Sequence, residues 1–194
     1  MDSGKSTSLH MVSRSAQARY HFAPFAQKAL MGLVQGTEHW VKQNDAEHWQ
    51  ATNNAISAIG KLIQKYPQVA QPAKFWPLWM SWLPLNNPDG DTLEAQVVHK
   101  MFIDEVLKNN VHLTGANFKN LTQVMHIVGT ALLGAKSDDS YDIDDEPLPL
   151  LGEKGIESAK HLLKSLSTNF PQDKLQQSFG QLSEEVRKAL SSAQ

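Results

Sequence analysis

Several short stretches carry residue types that could do chemistry. "GKST" (4–7) has the tail of a phosphate-binding loop, in which backbone N–H groups and a lysine cradle phosphates. That loop needs a first glycine five positions before Gly4, and it needs a strand leading in so that its amides converge on the phosphates. Neither is in this sequence. "MFIDE" (101–105) would offer a metal-binding acid after an apolar strand, but Met101 and Phe102 continue a helical stripe that begins at Leu93. The two fragments therefore read as coincidence, and a P-loop nucleotide-binding enzyme is the weakest of the readings.

The eight histidines include no pair spaced to grip a metal from one helix face, and there is no cysteine to assist. "EHW" occurs at 38–40 and again at 47–49, a spacing that puts the imidazoles at different azimuths of a helix. "DDSYDIDDE" (138–146) has the carboxylate density of a calcium loop. It lacks the glycine at position six and the glutamate at position twelve that an EF-hand requires. "NLT" (120–122) matches a glycosylation sequon, yet its setting is a helix in a chain without a secretory signal. No catalytic residue, metal site or cofactor is assigned.

Composition narrows the class. The 194 residues are 41% hydrophobic and 20% charged, which suits a globular domain or a short repeat array. No stretch approaches the roughly 20 apolar residues of a membrane span. Net charge is −2, and six of the twenty acids fall in 137–147, where there is no base. The remaining 14 acids face 18 bases spread along the chain, so no basic face for nucleic acid is expected. The acid-rich stretch has too little apolar surface to fold by itself and reads as a solvated loop.

The elements that must position any site are helical. Residues 50–66 put Ala55, Ile59, Leu62 and Tyr66 on one stripe, with Pro67 as a stop. Residues 91–108 open with "DTLE", a capping box from Asp91 to Glu94, and run Leu93, Val97, Met101 with Val98, Phe102 and Val106 alongside. Residues 116–133 give Phe118, Leu121, Met125, Val128 and Leu132; residues 152–168 give Ile156, Ala159, Leu163 and Leu166. Shorter helices are predicted at 9–20, 22–36, 73–83, 172–179 and 183–192.

First helices of successive pairs begin near residues 9, 50 and 91, a spacing of 41 that falls in the range of HEAT-type repeats. The approximate repeats are 9–36, 50–84, 91–134 and 152–192, with the acidic loop 137–147 inserted before the last. "FWPLWMSWLPL" (75–85) is then the second helix of a pair, apolar nearly all round and packed between layers. Pro77 is expected in its first turn, and Trp79 and Trp82 in the core. Gly60, in mid-helix, implies close approach by a neighbouring helix.

"NNAISAIGKLIQKYP" followed by "FWPLWMSWLPL" resembles a HEAT repeat near the C-terminus of nuclear transport receptors of the importin-β superfamily, in its importin-5 branch. "SLHMVSRSAQAR" and "YHFAPFAQKALMGLVQ" resemble the preceding repeat, and "LSEEVRKAL" the short helix with which such receptors end. The resemblance spans residues 9–190. It implies a superhelical scaffold, non-enzymatic, shuttling between cytoplasm and nucleus through the nuclear pore. The partners it implies for a whole receptor are cargo with basic localisation signals, the GTPase Ran and the FG repeats of nucleoporins. The principal Ran-binding repeats of that family lie towards the N-terminus of a much longer chain, so this sequence reads as the end of one.

The fold expected is therefore all-α, a HEAT-repeat α-solenoid of about four antiparallel helix pairs. Second helices would line its concave face, which makes Lys119, Gln123, His126 and Thr130, together with Gln27, Lys28 and Gln35, the candidate contact residues. Asp138, Asp139, Asp142, Asp144, Asp145 and Glu146 are candidates for a basic partner segment. A HEAT scaffold of a phosphatase or kinase complex is the alternative. A first repeat with no neighbour would leave Leu9, Met11, Val12, Ala16, Phe22, Phe25 and Leu30 uncovered, so self-association through 9–36 is also expected.

Overall fold

The protein is described by a computed structural model covering residues 4–43, 48–85, 92–135 and 148–193, with side chains from Phe22 onward and Gln43 excepted. Among the described residues it is all-helical, with one isolated bridge between Ala135 and Leu148. The elements are α1 (Gly4–Gln43), α2 (Trp49–Lys65), α3 (Pro67–Ala70), α4 (Pro72–Met80), α5 (Thr92–Leu107), α6 (Val111–Thr114), α7 (Leu121–Leu133), α8 (Glu153–Asn169), α9 (Gln172–Gly180) and α10 (Glu184–Ser192).

One row runs α1, α2, α5, α8, each helix packed on the next. Side-chain positions show the direction: Gly60 faces Met101 and Gln64 bonds Glu105, while Gln96 bonds Pro149 and Ser158 bonds Asp104. In each pair of ties the residue numbers rise together, so α2, α5 and α8 run parallel. The second helices complete the core: α4 packs on α2, α7 on α5, and α10 on α7, with α6 between α4 and α7.

The helix predicted over 50–66 is α2, and the repeat stripe at its core is Ala55, Ile59 and Ile63. Around 9–36 the outcome differs from the expected pair. Residues 4–43 form one helix that passes through Pro24. Nothing between Arg19 and Phe22 stops a helix, and a proline inside one costs a hydrogen bond and a kink rather than forbidding continuation. Leu30, expected to be uncovered, is fully buried against α2, whereas Phe25 is 62% exposed and Phe22 tilts over Tyr66. Side chains of residues 9, 11, 12 and 16 lie outside the described ones, as do Asp91 and the acidic segment 137–147.

Two stripes also shift. On α5 the core side is Ala95, Val98, Phe102, Ile103 and Val106, and Leu93 (71%) and Val97 (45%) face outward. This helix is apolar on more than one side, so the spacing left the buried face undetermined. The helix expected from 116 begins at Leu121, because Gly115, Asn117 and Phe118 have φ values of 74°, 52° and 57° and cannot continue an α-helix. Phe118 accordingly leaves the core stripe and packs edge-on against Phe170, with centroids 4.1 Å apart.

The tryptophan-rich stretch is interior. Phe75, Trp76, Trp79 and Met80 are buried on α4, with Pro72 in the first turn and Pro77 in the helix interior rather than at its start. Trp79 is inaccessible and its Nε1–H donates to the carbonyl of Ile56 at 2.7 Å. Its ring lies against Gly60, where an added Cβ would stand 2.9 Å from the indole and 2.5 Å from Cε of Met101. Trp82 lies beyond the helix and is only half-buried.

Gly60→Ala therefore sets about 1 kcal/mol of helix propensity against overpacking of roughly 1–3 kcal/mol. We expect net destabilisation in denaturant unfolding; a stabilised variant would show that the indole can retreat. Trp79→Ala is expected to cost about 3–5 kcal/mol, the range for a core aromatic, and half-buried Trp82→Ala clearly less.

Candidate functional site

Two of the depressions beside α7 differ in chemistry. The first lies between α7, the C-terminal half of α8, and α9. Its floor is Met125, Leu163 and Leu166, and Leu175 and Phe179 of α9 form one wall. Gln172, Gln176 and Ser167 stand at its rim, and its volume is about 300 Å³. This is the low end of the range for ligand pockets, suited to a single apolar side chain or a small ring. The cleft exists because α9 is amphipathic with few apolar residues: Leu175 and Phe179, four apart, are its contacts to the body and neither is fully buried.

The second depression is a polar groove of about 580 Å³ between the start of α7 and the α9–α10 turn. It is lined by Lys119, Thr122, Gln123, His126, Gln181 and Ser183 among others. Three of the candidates read from sequence, Lys119, Gln123 and His126, thus come together. Lys119 belongs to the turn before α7 rather than to the helix. Gln123 is partly engaged, its amide donating to the Met80 carbonyl at the end of α4 (3.4 Å). Thr130, one turn further along, is half-buried and outside the groove. Gln27, Lys28 and Gln35 are exposed on α1, which packs on α2 and α3, so they do not join this surface. The acidic candidates 138–146 lie outside the described residues.

Sequence reasoning missed the buried polar residues, two of which are titratable. His99 is fully enclosed on α5. With the proton on Nδ1 it donates to the Leu150 carbonyl at 3.2 Å, while Nε2 accepts the Leu85 N–H at 3.1 Å. It thereby ties the chain after α4 and the chain before α8 to the same helix. Glu105 accepts from Gln64 of α2 (2.9 Å), Lys108 (2.7 Å) and Asn110 (3.1 Å). A histidine or glutamate inside an amphipathic stripe was the available signal. Both are satisfied by backbone or neighbouring side chains, and each joins α5 to packed neighbours. Among the described residues no group of three or more His, Cys, Asp or Glu could hold a metal ion, and no helix is long and apolar enough to cross a membrane.

No protein-family model matches the chain.

Burial pushes the His99 pKa down from 6.5 to about 4, against the opposing effect of hydrogen bonds to backbone at Leu150 and Ala95. The unfolded chain then binds a proton that the folded chain refuses. Stability is complete above about pH 6.5 and falls as pH drops towards 4, by about 3 kcal/mol in all. Burial alone would raise Glu94 and Glu105, but the hydrogen bond and charge of Lys61 at the first, and hydrogen bonds from Lys108, Gln64 and Asn110 at the second, outweigh it and hold both below the usual value. Their contribution is lost at lower pH, below about 4.5. Urea unfolding at a series of pH values should show this slope in the native chain and a flatter one between pH 6.5 and 4.5 in His99→Phe, which starts less stable at pH 7. Equal slopes would contradict the assignment to His99.

Proposed function

We propose that the chain is a protein-binding scaffold without catalytic activity, the C-terminal HEAT-repeat part of a nuclear transport receptor of the importin-β superfamily. The parallel first helices α2, α5 and α8, the first two backed by α4 and α7, support a solenoid reading, since repeat units contact chiefly their neighbours. The motifs in "NNAISAIGKLIQKYP" and "FWPLWMSWLPL" support the superfamily. Shuttling between cytoplasm and nucleus follows from that reading. So does recognition of cargo with basic localisation signals, which the six carboxylates of 137–147 favour on charge. Ran contacts belong to repeats further towards the N-terminus of such receptors.

The observation that carries the proposal is the apolar cleft under α9. FG nucleoporins present phenylalanine rings on otherwise polar, disordered chain. A phenyl ring can sit on Met125, Leu163 and Leu166, while the amides of Gln172 and Gln176 at the rim can bond the peptide backbone. Burying one Phe side chain contributes roughly 1.5–3 kcal/mol, so a single repeat binds in the millimolar range or weaker and useful affinity needs many repeats.

The test is an immobilised peptide with several Phe-Gly repeats, compared with its Ser-Gly counterpart. The Phe peptide should retain the protein and the Ser peptide should not, and Leu175→Asp should weaken retention at least about tenfold. Equal retention on both peptides, or an unaffected variant, would refute the cleft as a docking site.

A further inference from the structure

We propose that α9 is a hinged flap whose displacement controls access to the apolar cleft beneath it. Between Phe170 and Leu182 the chain is anchored at both ends. Phe170 packs on Phe118 and donates its N–H to the Leu166 carbonyl, and Leu182 is buried. The eleven residues between these anchors make a poor seat. No residue of α9 is fully buried, and its apolar contacts are the two side chains that also wall the cleft. Its polar tethers are exposed: Gln172 to the Ser167 carbonyl (2.9 Å) and Thr122 to Gln181 (3.2 Å). Exposed bonds of this kind add little, because water replaces them on opening.

The helices on either side are held differently. α8 buries Ala159, Leu162, Leu163 and Leu166. α10 buries Val186 and Leu190, and Ser183 caps its first turn. Close seating of α10 on α7 is possible because Gly129 has no Cβ; one added there would stand 2.5 Å from Val186 Cγ1. The structure therefore places a loosely held helix between two firmly held ones, directly over unfilled apolar volume. Elements with few buried contacts open at a free energy well below global unfolding. Opening about Pro171 and Gly180 uncovers Met125, Leu163 and Leu166 to an incoming apolar side chain. A ligand that fits the open form shifts the population towards it in proportion to its preference for that form. Pocket volume and flap motion are thus one device: α9 walls one side of the partly open cleft, and its displacement widens the entrance to the apolar floor.

The identity of the ligand rests on the Phe-Gly reading above, but the flap does not, and hydrogen exchange needs no ligand. Amides of residues 173–180 in the full chain should exchange at least about 100-fold faster than those of α8 and α10, with little denaturant dependence. Leu175→Ala should speed exchange in α9 further and leave protection in α7, α8 and α10 unchanged. Uniform protection across α8, α9 and α10, or a loss spread over all three in Leu175→Ala, would overturn the flap, because α9 would then open only with the whole. Fast exchange in α9 together with no retention by Phe-Gly peptide would keep the flap and discard that ligand.

Discussion

The rest of the structure depends on the contact between Trp79 and the backbone of α2 at Gly60. The indole is the largest side chain fully enclosed in the core, and it reaches three helices at once. It extends from α4, donates to the Ile56 carbonyl of α2, and lies beside Phe102 of α5 with centroids 6.3 Å apart. An indole can be buried cheaply only where its N–H finds an acceptor. The acceptor here is a helix carbonyl, accessible because no side chain at position 60 stands in the way. The spacing between α2 and α4 is therefore set by a glycine on one side and a ring on the other. Met101 of α5 closes on the same glycine, so one small residue fixes where the second and third helices of the row meet.

Polar ties carry the same arrangement outward. Glu105 links α5 to α2 through Gln64, and Lys61 reaches Glu94 at 2.7 Å along the same face. Ser158 bonds Asp104 across to α8, and His99 holds the chain segments flanking 86–91 and 136–147 to α5. These bonds are individually modest, but an unsatisfied partner at a buried site costs more than the bond itself contributes. They act as registers: α5 cannot slide along α2 or α8 without orphaning a carboxylate or an imidazole. They fix the spacing of successive helices, and with it the shape of the clefts between them.

Much of this was legible from residue order. Pro67 and Pro171 mark helix boundaries, and six of the helices expected from spacing appear within three residues of their positions. Gly60 announced a close approach before the approaching residue was known. What spacing could not resolve was orientation. Leu93 and Val97 form as good a stripe as Val98 and Phe102, and only the neighbours of α5 decide which pair is buried. Phe118 read as core because nothing in its type reveals a left-handed backbone. The candidate contact residues Lys119, Gln123 and His126 line one groove, but Lys119 does so from the turn before α7, and Thr130 of the same expected stripe lies outside it. The apolar cleft was not foreseen, because it is made by what α9 lacks, and missing contacts leave no motif.

The account turns on whether that cleft receives an apolar side chain. The most direct measurement is a set of intermolecular nuclear Overhauser effects between a Phe-Gly repeat peptide with protonated rings and the protein labelled on its Met and Leu methyl groups. The account predicts cross-peaks from the phenyl ring to methyls of Met125, Leu163, Leu166 and Leu175. Cross-peaks confined to other methyls, such as those of Leu93 or Met31, would place the partner elsewhere and contradict it.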